Sequence, residues 1–512
     1  MAPETVHLGK PTRLLTRHSV IQCATDYDGS LRNRFGCNSR EILYFPPLVQ
    51  PDGFYYYPQD RTTITAAYTN RHSARHLDEY NDRGVAQCYR HLRKFIRHPT
   101  RWTRQQYVER IDDSTKRALY TRALEELECG GRVQSRVQPF TKIEKLSTSK
   151  YKAPRMIQAR HLSFNIDYGT YIKPLEDALG KDIHFGKGNY LDIGKKIHRL
   201  SKKYRYYTEA DHSTFDAHVT PEMLQLTHTF YQSCYYHDRY LGKLSKRTIN
   251  NNCATRDGIK YKIRGTRMSG DVDTSLGNSL INYAILKEVM RRLHIKGDAI
   301  VNGDDSILFT DQPLTEEFSR LLREYNMETQ MKPSTTNIHT VEFCRTKLVI
   351  NANGTPTMMI DPKRLFQIFG MTYKLTSDYI EFLRQVICCN IACNMANPLY
   401  FIWADIYTQV FGELAASDLR IAILKTLEKK HRNIALKNLN SPPTTPELNQ
   451  SMHLAHGDMQ YIQPCIKYIV TRMTLLRKIK PNSQMLNYVP ISTYILVHHR
   501  SKTLTIMTNS PD

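Results

Sequence analysis

Ala299-Ile300-Val301-Asn302-Gly303-Asp304-Asp305-Ser306-Ile307-Leu308-Phe309 is the stretch that decides the fold. Two short apolar runs flank a glycine and two acids, a pattern that predicts a buried β-hairpin with carboxylates at its tip. Gly303 supplies turn geometry that a Cβ would hinder. Adjacent carboxylates repel each other, and a bound cation is the simplest reason to place them there. A solvated acidic hairpin tip has the same composition, so other segments of the chain must decide between the two.

Upstream, Thr208-Glu209-Ala210-Asp211-His212-Ser213-Thr214-Phe215-Asp216-Ala217-His218 carries two aspartates five positions apart. Tyr204, Tyr206 and Tyr207 predict a strand running toward Asp211. Thr220-Pro221-Glu222 reads as an N-cap, a first-turn proline and an acid suited to a helix N-terminus. Met223, Leu226, Phe230 and Cys234 continue that helix as core packing. This order places Asp211 where it could meet the Asp304 hairpin on an adjacent strand.

Between the two acidic elements lies Arg267-Met268-Ser269-Gly270-Asp271-Val272-Asp273-Thr274-Ser275-Leu276-Gly277-Asn278-Ser279-Leu280-Ile281-Asn282-Tyr283. Ser269-Gly270 reads as a flexible loop and the remainder as a helix. Thr274 and Asn278, four apart, project from one helical face, where a hydroxyl and a carboxamide could read a sugar hydroxyl. A capped helix with its polar side to solvent is the alternative.

Asp211-x4-Asp216, Ser269-Gly270-x3-Thr274-x3-Asn278 and Gly303-Asp304-Asp305, in this order, resemble motifs A, B and C of viral RNA-dependent RNA polymerases. The wording from Met268 to Asn278 is similar to that of replicases of tombusvirus-like plus-strand RNA viruses. Phe140-Thr141-Lys142-Ile143-Glu144-Lys145 and Lys152-Ala153-Pro154-Arg155-Met156-Ile157-Gln158-Ala159-Arg160 resemble the basic motif F of the same family. Clustered cations can neutralise a triphosphate, and guanidinium binds phosphate oxygens bidentately. A solvated basic strand is the competing reading. The resemblance covers residues 130 to 350.

Composition agrees without being able to produce that reading. Seventy-two Lys and Arg against 49 Asp and Glu leave +23 on 512 residues. Such an excess favours polyanions, nucleic acid first and an anionic membrane surface second. The length allows a large core and several subdomains. The 11 cysteines form no CxxC pair, their number is odd, and no signal peptide is evident, which points to a reducing compartment. Cys388, Cys389 and Cys393 read as buried thiols. The longest apolar stretch, Ile387 to Ile402, is broken by Asn390, Asn394, Asn397 and Pro398, short of the roughly 20 residues that span a bilayer.

Phe45-Pro46-Pro47 and Tyr55-Tyr56-Tyr57-Pro58 mark irregular chain, and residues 104 to 128 read as one helix ending at Gly130-Gly131. Beyond residue 350 the pattern is mainly helical, over 376 to 395, 398 to 413 and 416 to 432. A polar break at Asn438 to Pro446 reads as a loop, and Tyr488-Val489-Pro490 with Tyr494 to Val497 as strand or irregular tail.

The resemblance implies an α+β right hand whose palm is an antiparallel sheet backed by helices. Residues 1–130 would be an N-terminal extension and fingers, and 131–200 fingers with the basic nucleotide-binding motif. Residues 201–240 would be palm, 241–265 a return to the fingers, 266–350 palm again, and 351–512 a mainly helical thumb and tail. It implies RNA synthesis on a viral RNA template by two-metal-ion nucleotidyl transfer, with Asp211 and Asp304 as direct ligands of two Mg²⁺ (Mn²⁺ may substitute) and Asp305 as a weaker one. His212 is read as packing. Asp216, Thr274 and Asn278 would select the ribose, with Ser269 and Gly270 as a mobile loop beside the nascent pair. Lys142, Lys152 and Arg155 would hold the triphosphate. Lys332 is the favoured proton donor to pyrophosphate, with Lys347 as alternative, and Glu342 to Arg345 resembles the primer-gripping motif E. Implied partners are single-stranded RNA template, nascent duplex, ribonucleoside triphosphates and other viral or host replication proteins. The implied setting is the host cytoplasm, at membrane-associated replication complexes.

Two rival activities remain at this stage. A reverse transcriptase shares the two-metal palm, but its hairpin carries an aromatic before x-Asp-Asp, where this chain has Val301-Asn302-Gly303. A basic RNA-binding or assembly protein with merely structural acidic turns would bind RNA indifferently to Asp304→Ala.

Overall fold

The computed structural model describes residues 61–144, 146–147, 152–256, 258–370, 378–414 and 448–478, single residues at 57, 417 and 419, and strand pieces at 42–43, 54–55, 488–489, 493–497 and 504–508. The chain is a mixed helix and sheet structure in which almost every strand pairing is antiparallel.

At its centre is a four-stranded sheet with Thr329–Met331 on one edge, then Tyr206–His212, Asp305–Thr310 and Gly297–Asn302. The last two strands form the hairpin expected from their sequence, with Asn302 opposite Asp305 across Gly303-Asp304. Gly303 has φ +64, and a Cβ there would meet nothing within 4 Å, so the need for glycine is conformational and not steric. The apolar runs are continuous because both faces of the sheet are covered. Ala299, Val301 and Leu308 pack toward Leu162–Leu179, Pro221–Cys234 and Thr274–Arg292. Ile300, Ile307 and Phe309 pack toward Tyr190–Ser201 and a small sheet made of Glu342–Phe343, Thr346–Ile350 and Pro356–Ile360. Each such fully buried side chain contributes roughly 1.5–3 kcal/mol relative to exposure.

From Leu276 to Leu286 the helix Thr274–Arg292 is buried on all sides, including Asn278, Ser279 and Asn282, so the alternative of a polar side facing solvent does not hold there. A helix enclosed in this way acts as a core pillar. A second four-stranded sheet runs Met156–Arg160, Val137–Thr141, Asn250–Ala254, Lys260–Arg264, so strands over 100 residues apart in sequence share one surface. The strand Val137–Thr141 alternates buried and exposed residues, as a half-covered sheet requires.

Three local expectations are corrected. Residues 104 to 128 form two helices, Arg104–Glu109 and Ser114–Glu128. The break arises at Asp113, whose carboxylate accepts from the Lys116 N–H at 2.6 Å and restarts the chain as an N-cap. The aromatic stretch near residue 55 includes a short strand, Phe54–Tyr55, paired with Leu146–Ser147. The chain beyond 350 begins with the strand Pro356–Ile360 before it turns helical. There Tyr379–Cys393, Leu399–Phe411, Gln450–His456 and Ile462–Lys478 pack around Trp403. Most of the helix expected over 416 to 432, and the loop at 438 to 446, lie outside the described residues. Among the described residues no helix is long and apolar enough to cross a membrane, and no disulfide forms.

Candidate active site

Tyr206–His212 lies antiparallel to Asp305–Thr310 with Ala210 opposite Ser306, so Asp211 and the Asp304-Asp305 turn end up at the same end of neighbouring strands. The alternation of the strand sends Asp211 to one face and His212 to the other. Asp211 and Asp304 are exposed, whereas His212 is buried against the pillar helix. Asp305 is exposed as well, but the protein around its carboxyl and the charge of Asp304 push it up to about 6, against a hydrogen bond from Cys344. Asp211 and Glu342 add to that repulsion.

The backbone of the turn is clamped from the pillar helix. Gly303 N–H donates to Ser279 Oγ at 2.8 Å, and Asn282 Nδ2 donates to the carbonyls of Gly303 and Asp304 at 3.1 and 3.2 Å. Asn282 Oδ1 lies 2.9 Å from His212 Nε2, which must therefore donate. Burial lowers the His212 pKa, so the ring is neutral and Nδ1 accepts from Thr329 Oγ1 at 2.7 Å. His212 thus packs, as expected. Ser279 and Asn282 were not foreseen. The signal available was polar residues inside an otherwise apolar helix, with Asn282 one turn after Asn278.

After Asp211 the chain turns sharply. Thr214 adopts a left-handed conformation (φ 41), unusual for a β-branched residue, and begins the short helix Phe215–His218 that carries Asp216. Asn278 Nδ2 donates to Asp216 Oδ1 at 2.7 Å across 62 residues of sequence. Burial pushes Asp216 up to about 6, with the Asn278 hydrogen bond opposing. Thr274 stands at the head of the same helix, its hydroxyl 2.9 Å from the carbonyls of Met268 and Asp271. Ser269 and Gly270 are laced onto the basic strand: Ser269 Oγ accepts from Gln158 N–H at 3.1 Å, and Gly270 N–H donates to Gln158 O at 3.1 Å. A Cβ at Gly270 would come within 2.5 Å of that carbonyl, so the close approach needs glycine.

The basic segment divides in two. Arg155 is half-buried, pairs through both arms with Glu144, and feels the charges of Asp304 and Asp216. Lys142 Nζ lies 3.6 Å from the same Glu144. Arg160, by contrast, turns inward, fully buried, and forks onto Asp271 at 2.7 and 2.8 Å. Lys152 precedes the strand Met156–Arg160, and its carbonyl accepts from the Tyr57 hydroxyl at 2.6 Å. Lys145 falls outside the described residues. Arg71 was missed by sequence reading, since nothing around it repeats a motif. It sits in a π-helical turn, Tyr68–His72, and donates to the Ala153 carbonyl at 3.3 Å, which brings its charge beside Arg155.

Lys332 follows the edge strand, is 71 % exposed and pairs with Glu209, two residues before Asp211. That hydrogen bond raises its pKa, so it holds its proton. Lys347 points away, donating to Ala455 O at 3.0 Å. Cys344 and Arg345, both left-handed (φ 50 and 64), make the tight turn of the Glu342 hairpin.

Among the described residues no three His, Cys, Asp or Glu side chains form a ready-made metal cluster. The donor chemistry at the turn nevertheless suits a hard divalent cation, because carboxylates that disfavour one another's charge converge there, and the one thiol beside them, Cys344, is kept protonated by burial and by the charge of Asp305.

A family profile described as viral RNA dependent RNA polymerase matches residues 68–475. The chain belongs to that family. Every site residue named above lies within the interval matched to viral RNA dependent RNA polymerases, save Tyr57. Similar relatives include the RNA-directed RNA polymerase of Tomato bushy stunt virus (strain Cherry), 36 % identical over 253 residues, which are 45 % of this chain and 31 % of that protein. Those of Oat chlorotic stunt virus (isolate United Kingdom), 31 % identical over 48 % of this chain, and Tobacco necrosis virus (strain A), 28 % identical over 64 %, are aligned over 36 % and 47 % of their own length. The chain thus matches less than half the length of each of these curated relatives.

Proposed function

We propose that this chain is an RNA-dependent RNA polymerase that joins ribonucleotides on a single-stranded viral RNA template and so replicates a plus-strand genome. One observation carries the reading: the strand pairing that brings Asp211 to the Asp304-Asp305 turn, next to an Asp216–Asn278 pair and a cationic wall at Arg155. A purely structural acidic turn gives no reason for all three to converge.

In this reading Asp211, Asp304 and Asp305 hold divalent cations, Mg²⁺ or Mn²⁺, which supply a more acidic 3′-hydroxyl and charge neutralisation at the phosphates. Arg155, Lys142 and Lys152 receive the triphosphate, and Arg155 exchanges the Glu144 carboxylate for phosphate oxygens of the same fork geometry. Asp216 and Asn278, with Thr274, read the 2′-hydroxyl; a deoxyribonucleotide would leave those polar groups unpaired, which disfavours it. Ser269 and Gly270 support the nascent pair. Lys332 keeps a proton available for the departing pyrophosphate. The two sheets and the C-terminal helices correspond to a right hand. The central sheet would be palm (201–240 and 266–350), the Val137–Arg264 sheet part of the fingers (1–200 and 241–265), and 351–512 the thumb and tail. Other replication proteins at host membranes are the expected partners.

The test is labelled-nucleotide incorporation on a short single-stranded RNA, with and without an annealed primer, for wild type and Asp304→Ala. Incorporation that requires Mg²⁺ or Mn²⁺ and disappears in the variant, with RNA binding retained, supports the reading. Turnover that survives Asp304→Ala would overturn the metal assignment.

A further inference from the structure

We propose that Arg267 is a positioning residue for ribose recognition, its buried guanidinium fixing the Asn278 carboxamide so that the amide nitrogen faces Asp216. The inference rests on the reading of Asp216 and Asn278 as the ribose-reading pair.

Arg267 is 1 % exposed, one of the largest fully buried side chains in the protein. Its Nε donates to Asn278 Oδ1 at 2.9 Å, and its Nη1 lies 3.0 Å from Asp273 Oδ2. Asp273 immediately precedes the pillar helix, where an aspartate would ordinarily cap, yet its side chain makes no cap hydrogen bond. Its carboxylate faces Arg267 instead and accepts from the Tyr231 hydroxyl at 3.1 Å. The backbone carries the same connection, because Arg267 N–H donates to the Asp216 carbonyl at 2.9 Å. One residue therefore ties the turn holding Asp216 to the helix holding Asn278, through both main chain and side chain.

A carboxamide has a donor end and an acceptor end that are almost the same size, so only its partners choose the orientation. Turned around, Asn278 would present its oxygen to the Asp216 carboxylate and its NH₂ to the Arg267 N–H. Both contacts would be repulsive. The guanidinium thus leaves Asn278 one arrangement, in which Asp216 Oδ1 is occupied and its other oxygen remains for a sugar hydroxyl. A lysine could not replace it, since a single ammonium has no planar fork to serve an amide and a carboxylate in fixed directions. A buried ion pair adds little net stability, so geometry is what this one supplies.

Gly277 provides an independent handle. A Cβ there would lie 2.2 Å from Arg267 Nη2, a contact that the end of a side chain can relieve only by moving the guanidinium. Gly277→Ala leaves every hydrogen-bonding group in place and favours the helix.

The experiment measures kcat/KM for ATP and 2′-deoxyATP on one primed RNA template, using the full chain as wild type, Arg267→Lys, Gly277→Ala and Asn278→Ala, with thermal melts alongside. ATP use is expected to fall about tenfold in the first two variants, the loss typical of one hydrogen bond to a charged group, with 2′-deoxyATP use little changed. A merely structural role would lower both substrates together, and that result, or an unchanged ratio, overturns the proposal. If Asn278→Ala itself leaves the ratio at the wild-type value, the ribose-pair reading falls and this inference falls with it. If only the Arg267 and Gly277 variants keep the ratio, the inference alone fails. Should Arg267→Lys not fold, Gly277→Ala decides; loss of fold in both makes the guanidinium structural and refutes its positioning role.

Discussion

His184→Gln should destabilise the protein in a way that depends on pH. His184 sits between two carboxylates, with Nδ1 2.7 Å from Asp182 and Nε2 2.8 Å from Asp298, while Phe95 and Tyr283 meet its ring edge to face. Lys94, Arg97 and Lys287 are cations nearby: Arg97 lies 3.5 Å from Asp182, Lys94 opposes the charge on His184, and Lys287 favours the charge of Asp298. Burial lowers the His184 pKa, but the two carboxylate hydrogen bonds outweigh it and the net shift is upward. Asp298, despite burial, is held at about 2, chiefly by its bond to His184. The clamp matters because the adjoining main chain, His184 O and Gly186 N, bonds to Val301 in the strand leading to Asp304.

Each hydrogen bond to a charged group contributes roughly 1.5–3 kcal/mol. Glutamine keeps one uncharged contact at most, and the neighbouring cations offset part of the loss, so the net cost is about 3 kcal/mol at acidic pH. In a cooperative unit of several hundred residues that lowers Tm by about 3–4 °C. The sign follows from the raised pKa. The His184 contribution is complete below about 6.5, its ordinary value, and is lost as pH rises through the folded value. The contributions of Asp182 and Asp298 run the other way, present above the ordinary carboxylate value and lost as pH falls through their lowered ones. Thermal melts of wild type and variant from pH 5.5 to 9 should show the gap widest at the acid end and narrowing upward. A gap of constant size across that range, or none at pH 5.5, would refute the charged clamp.

Arg155→Ala should raise the apparent KM for all four ribonucleotides by about tenfold, if, as proposed, the fork binds phosphate and not base; a base-specific effect in single-nucleotide kinetics would count against triphosphate binding. Arg160→Met should cost about 3–5 kcal/mol in denaturant unfolding, because Asp271 would be left buried without its partner, and a loss below 1 kcal/mol would show the pair to be dispensable. Gly194→Ala should lower stability by about 1–3 kcal/mol, because its Cβ would come within 2.4 Å of the Thr357 backbone, which cannot swing aside as a side chain can. An unshifted melting curve for that variant would mean that the helix and strand separate at no cost.

The hairpin around Gly303, the strand into Asp211 and the Thr220-Pro221 helix start were all legible in the sequence, because turn chemistry, strand composition and capping act over a few residues. So were the residue types that the proposed two-metal chemistry would need, and their order along the chain. What the linear text did not hold was partnership. Arg155 and Arg160 stand five apart on one basic stretch, yet one reaches toward Asp216 and Asp304 while the other is spent inside on Asp271. Alternation along a strand puts such residues on opposite faces, but only the finished packing decides which face is open. Asn278 meets Asp216 across 62 positions, and Asn282 meets the Gly303 turn across 21. Those contacts depend on how a buried helix lies against a sheet, which no local period encodes. The sequence by itself determined the chemistry available and the elements that carry it; the tertiary structure alone decided which polar groups face the site and which hold one another, because buried polar groups take their partners from whatever the packing brings within reach.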